Sequence, residues 1–117
     1  MVGVVPFRID STFSFPFNFP FTEEGILRFA PNDSGIYVIK NATACLYVGE
    51  SAAIDAALLE HLRSKSEVSA CIRRGNPTEF SFERCARDVS LVRHKQLLAV
   101  LKPFCQLPDR SGATAPD

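Results

Sequence analysis

The residues whose types and spacing could carry chemistry are few in this chain of 117 amino acids: two tyrosines, Tyr37 and Tyr47, and two histidines, His61 and His94. Tyr47 opens the stretch YVGESAAIDAALLEHL, residues 47 to 62, which reads as a strand running through a glycine turn at Gly49 into a helix. Active sites are often built at such junctions. The first two turns of this helix are nevertheless mostly alanine, where a catalytic helix would show a polar side chain. His61 recurs at helical spacing with Ile54, Ala57, Leu58 and Leu62, so it lies on the buried stripe or its margin, where a neutral imidazole needs only one or two hydrogen-bond partners. His94 falls in the basic run RHK. As a metal ligand it would suit zinc, nickel or manganese better than magnesium, which prefers oxygen; as a residue of a charged helix face it needs no special role.

The four cysteines, Cys45, Cys71, Cys85 and Cys105, contain no C-x-x-C pair and read most simply as reduced thiols; a zinc site built from them and a histidine would usually show closer ligand pairs. The formal net charge is zero, which argues against strong non-specific polyanion binding by the chain as a whole. The distribution is uneven: residues 60 to 102 hold nine Lys/Arg against five Asp/Glu. No run of about 18 apolar residues and no signal-peptide pattern is present, so the sequence predicts a soluble, cytoplasmic protein with no membrane contact.

The elements that must position these residues follow from periodicity. Phe13, Phe15, Phe17, Phe19 and Phe21 alternate with Pro16 and Pro20 among them, which predicts an extended arm or edge strand with one aromatic face. That face packs over the domain's own core or forms a symmetric homodimer contact. TEEGILRF could form a short helical turn capped by Thr22. GIYVIK, residues 35 to 40, and CLYVGE, residues 45 to 50, form a hairpin across NATA. Ser51 is a plausible cap for a helix from about Ala52 to Ser64. RRGNP is a loop, TEFSFERC is a third strand, and Asp88 can cap a helix to about Lys102 with Val89, Val92, Leu97 and Leu101 among its apolar positions and Pro103 at its end. These elements predict a small α+β fold, β-β-α-β-α, with a three-stranded antiparallel or mixed sheet flanked by helices. Its expected divisions are an arm over residues 1–32, a domain over 33–106 and a flexible tail over 107–117.

The tripeptides GIY (Gly35, Ile36, Tyr37) and YVG (Tyr47, Val48, Gly49), the short turn between them and the following helix ending in EHL resemble the GIY-YIG nuclease superfamily. LLAVLKPFCQ resembles that family's closing pattern. The resemblance implies phosphodiester cleavage with one divalent metal. The first tyrosine would act as or near the general base, an arginine on the first helix would stabilise the phosphate, and a glutamate on the later helix would hold the metal. Tyr37, Tyr47, Gly49 and His61 match the pattern, Gly49 as the glycine that lets substrate approach the backbone. The arginine position is Ala57, the glutamate position is His94, and Gln106 stands where an asparagine is common. Losing one preorganised donor typically costs about a hundred- to a thousand-fold, and an arginine finger is worth about 10³ to 10⁵. The resemblance therefore points to a degenerate domain, catalytically weak or inactive, that binds nucleic acid (DNA or RNA) or protein. The alternatives are a magnesium- or manganese-dependent endonuclease with a rearranged site, in which Arg63 or Arg93 contacts substrate and His94 the metal, and a structural dimerisation module.

Overall fold

The computed structural model describes residues 18–106. The elements in chain order are β1 (Phe19–Pro20), α1 (Glu23–Phe29), β2 (Gly35–Lys40), β3 (Cys45–Ser51), α2 (Ile54–Arg63), α3 (Glu67–Arg74), β4 (Glu79–Arg84) and α4 (Arg87–Leu101). Among the described residues they form one wholly antiparallel sheet of four strands in the order β1-β4-β2-β3, one strand more than the sequence predicts. The extra strand is supplied by the phenylalanine arm: Phe19 lies opposite Phe80 and Pro20 opposite Glu79, and the Phe21 N–H donates to the Thr78 carbonyl at 3.0 Å. Pro20 has no N–H to offer a ladder, and the rim of the sheet is where that deficit is tolerated. Phe13, Phe15 and Phe17, and with them most of the proposed dimer contact, lie outside the described residues, as does the 107–117 tail.

The hairpin is set by Asn41, whose side-chain carbonyl accepts the N–H groups of Thr43 (2.8 Å) and Ala44 (2.7 Å). A register shift at Ile39/Lys40 then leaves Tyr47 opposite Ile39 and Gly49 opposite Tyr37. Because strand side chains alternate between faces, Tyr37, Ile39 and Tyr47 share one side of the sheet with Phe80 and Phe82, under α1, α2 and α3. Ile36, Val38 and Val48 point to the other side and pack on Leu97 of α4.

Both helix starts adjoining the site differ from the sequence expectation. Ser51 still pairs with Gly35 as the last residue of β3, and α2 begins at Ile54 behind Ala53. Its first amides are satisfied by a neighbouring loop: the Ile54 N–H donates to the Asp33 carbonyl (3.0 Å) and that of Asp55 to Pro31 (3.1 Å), so no capping hydroxyl is needed. α4 begins at Arg87 behind Ala86, which places Asp88 inside the first turn, where its carboxylate accepts the Val89 N–H (2.9 Å). Val89 and Val92 prove exposed, at 47% and 57%. The inward line of α4 instead runs through Ser90, His94, Leu97 and Leu101, and its first half is polar because it meets Glu50 and the rim of β3 rather than the apolar centre. Thr22 does cap α1, accepting the Gly25 N–H at 3.0 Å.

Two further features depart from the sequence reading. Residues 67–74 form α3, opened by Ser66, whose hydroxyl accepts the Ser69 N–H (3.1 Å). Cys71 of α3 and Cys105 are joined in a disulfide, their Cα atoms 5.7 Å apart, while Cys45 and Cys85 are free thiols. The two bonded cysteines are 34 residues apart in the chain, and only the return of the segment after α4 along β3 brings them together. No helix among the described residues is long and apolar enough to cross a membrane.

Candidate functional site

The site is built on the β2–β3 pair. Tyr37 projects from β2 directly across from Gly49, and its ring lies over the space a side chain there would occupy: a Cβ on Gly49 would stand 2.3 Å from Tyr37 Cζ and 2.4 Å from its oxygen. In this structure the open side of Gly49 is therefore filled by the protein's own phenol. Two residues along β3, Tyr47 brings its ring centroid to 6.0 Å from that of Tyr37.

His61, in the last turns of α2, descends onto both rings. Its Nε2 is 2.8 Å from the Tyr37 hydroxyl, and its ring meets Tyr47 edge-on at 5.0 Å. Its Nδ1 is 2.9 Å from the Ser69 hydroxyl of α3, and Arg73, one helical turn further on, donates to the His61 carbonyl at 2.9 Å. Burial, followed by the nearby Arg73 charge, pushes the His61 pKa down to about 4. Burial chiefly, with Tyr47, Glu60 and Glu50 adding to it, raises that of Tyr37, and burial followed by Glu50 raises that of Tyr47. At neutral pH the cluster is therefore uncharged: two phenols and a neutral imidazole. Two proton arrangements satisfy it. Tyr37 donates to Nε2 while Nδ1–H donates to Ser69, or Ser69 donates to Nδ1 while Nε2–H donates to Tyr37. Either is a relay between buried groups, since Tyr37 is 3% and Ser69 1% exposed.

Removing the hydroxyl with Tyr37→Phe is expected to lower stability by about 1–2 kcal/mol, because a partly buried imidazole nitrogen loses its partner while the ring still fits. Urea titration at neutral pH checks this, and an unchanged midpoint would mean that the bond contributes nothing.

The charged residues named from sequence lie elsewhere. Ala57 sits one turn before His61 and packs its methyl against the same core cluster. Arg63 pairs with Glu23 of α1 at 3.2 Å in an exposed position. Arg93 pairs with Glu83 at 3.0 Å, on the α4 side of the sheet, opposite to the tyrosines. His94 reaches the rim of β3, where its Nε2 is 3.0 Å from the Val48 carbonyl. A carbonyl only accepts, so this nitrogen carries the proton. Gln106 engages both backbone groups of the same residue, its amide donating to the Val48 carbonyl (3.1 Å) and its oxygen accepting the Val48 N–H (3.1 Å). His94 and Gln106 thus hold the backbone of Val48, the residue after Tyr47, from outside the sheet.

These residues do not fit a magnesium or manganese ion. Hard divalent cations take oxygen ligands, carboxylates above all. His94 offers at most Nδ1, and Glu50 is engaged with Arg87 (3.3 Å) and the Ser90 hydroxyl (3.4 Å). Among the described residues no three or more His, Cys, Asp or Glu side chains gather as a metal site. Ser69 and Arg73 were not identifiable as site residues from sequence. The signals that could have placed them are those of α3 itself: Ser66 as cap, Glu67 in the first turn, Arg73 and Arg74 in the last, and Gly75 beyond.

No protein-family model matches the chain, and neither does any curated protein sequence. Its structure is similar to that of the GIY-YIG N-terminal endonuclease domain of UvrC from Thermotoga maritima bound to its catalytic divalent cation, magnesium. That likeness has a TM-score of 0.63 at 19% identity and covers 74% of this chain and 100% of that one. A tyrosine-to-phenylalanine point mutant of the same domain gives a TM-score of 0.63 at 18% identity with the same coverage. Likeness of this extent at so low an identity speaks to architecture alone, and there it is plain: the chain has the fold of the GIY-YIG nuclease superfamily.

Proposed function

We propose that this chain is a GIY-YIG-fold domain that has given up metal-dependent phosphodiester cleavage and acts as a binding module for nucleic acid or protein. The observation that carries this reading is the fate of the two charged positions: Ala57, partly buried, packs against the core cluster, and the imidazole of His94 is engaged in holding the backbone of β3. A phosphoryl-transfer site needs fixed positive charge on the phosphate and a metal held by oxygen. The tyrosine–histidine cluster supplies neither, and Tyr37 is too deeply covered to meet a phosphate without rearrangement.

The runner-up, a nuclease with a rearranged site, is favoured by the contact between Tyr37 and His61 at 2.8 Å. Plasmid nicking at high protein concentration, with magnesium, manganese, nickel and zinc in turn, separates the two. The expected result is no cleavage above background with any metal. Specific cleavage abolished by Tyr37→Phe would establish the runner-up instead. On the binding side, fluorescence anisotropy of labelled single- and double-stranded oligonucleotides at low salt should report association that weakens as salt rises. Absence of a signal for every oligonucleotide would leave protein as the partner class.

A further inference from the structure

The segment after α4 is held to the body of the protein in two different ways. On one side it lies along the outer rim of β3: the Phe104 N–H donates to the Cys45 carbonyl (3.0 Å), that of Cys105 to Leu46 (2.7 Å), and the Gln106 side chain takes both polar groups of Val48. On the other side Cys105 is covalently bonded to Cys71 of α3. Phe104 contributes little anchoring, its side chain being 76% exposed. The one apolar anchor of the described segment that is fully buried is Cys105 itself, at 2%, and it is seated through its bond to α3.

We infer that the Cys71–Cys105 disulfide is a redox-sensitive clasp, whose reduction releases residues 104–106 from β3 and exposes the backbone of Cys45–Val48. The reductant is a dithiol. Its thiolate attacks the sulfur of Cys71, the more exposed residue of the pair, and the sulfur–sulfur bond breaks with its electron pair leaving on Cys105, which takes up a proton. The second thiol of the reductant then displaces Cys71 as a thiol. Two electrons and two protons pass to the protein, and the reductant leaves as a disulfide. Afterwards residues 104–106 are held, among the described residues, by a few rim hydrogen bonds and the small buried side chain of Cys105, and short peripheral segments of that kind open locally at little cost. The clasp joins the strand that carries Tyr47 and Gly49 to the helix that carries Ser69, so its state reaches both sides of the site. It does not depend on whether the domain cleaves, binds or does neither.

Amide hydrogen exchange of the full chain tests this, with and without dithiothreitol. Reduction is expected to speed exchange at Phe104, Cys105 and Val48 by at least about tenfold while Ile39, in the central strand, changes by less than about twofold. Cys71→Ser should reproduce that pattern without reductant, and if that variant does not fold, reduced wild-type protein carries the test alone. Three results would overturn the proposal. These are four titratable thiols in protein exposed to oxidised glutathione, unchanged exchange at the three rim amides, and an equal acceleration at Ile39, which would mark a general loss of stability.

Discussion

Gly49→Ala is expected to destabilise the protein by about 3 kcal/mol, combining the usual cost of overpacking with disturbance of a buried hydrogen bond. The new methyl carbon would stand 2.3 Å from Tyr37 Cζ, well inside any tolerable contact. Such a clash is cheap when the obstructing atom ends a flexible side chain. Tyr37 has no such freedom, since it is buried at 3% and its hydroxyl is tied to His61 at 2.8 Å. The ring can move only by giving up that bond or by displacing α2. Chemical denaturation of Gly49→Ala, Tyr37→Leu and the double variant forms a cycle that isolates the effect. If the clash is the cause, the double variant will be much more stable than the sum of the single losses allows. Strict additivity would show that Gly49 is needed for some reason other than room for Tyr37.

The second large effect is a dependence of stability on pH. The His61 pKa is about 4 in the folded protein against 6.5 in its absence, so between those values the unfolded chain binds a proton that the folded one refuses. Stability is then complete above about pH 6.5 and falls as pH drops towards 4, by up to about 1.4 kcal/mol per pH unit and about 3 kcal/mol in all. The upper half of that window, from 6.5 to about 5, precedes most carboxylate protonation and isolates the imidazole. Urea midpoints at pH 7 and pH 5.5 should differ measurably in the wild type and much less in His61→Gln. An equal pH response in the two would assign the loss to other groups.

How far the sequence discloses this molecule depends on whether the cause of a feature is local. The β2–β3 hairpin was legible because Gly35–Tyr37, Asn41 and Tyr47–Gly49 each act within a few residues; the register that sets Tyr37 over Gly49 was not, because it depends on the shift at Ile39/Lys40 as well as on the turn. The stripe of α2, with His61 on it, was legible for the same reason. The start of α2 was not, because the carbonyls of Pro31 and Asp33 satisfy its amides from about 20 residues away. α3 spans only eight residues, so although Val68, Cys71 and Ile72 recur at helical spacing the run is too short to stand out as a helix on its own. The inward face of α4 is partly polar, so apolar spacing pointed at Val89 and Val92, which are exposed, and passed over Ser90 and His94. The disulfide depends on a long-range return of the chain that no cysteine spacing encodes. At the site, the departures at Ala57 and His94 were visible as letters. That His94 holds the Val48 peptide became visible only in three dimensions.

The short β1 strand has a practical consequence for anyone trimming this protein. A chain begun at the first motif residue, Gly35, would lack Phe19, Phe21 and Ile26, and with them one of the two partners of β4 and part of the lid over Phe80 and Phe82. What remained would pair β4 with β2 along one edge only and present its other edge open, flanked by uncovered aromatic rings, the combination that recruits further strands and leads to aggregation. Insolubility of such a fragment would then reflect the missing hem of β1 and α1, and would carry no information about the integrity of the tyrosine–histidine cluster.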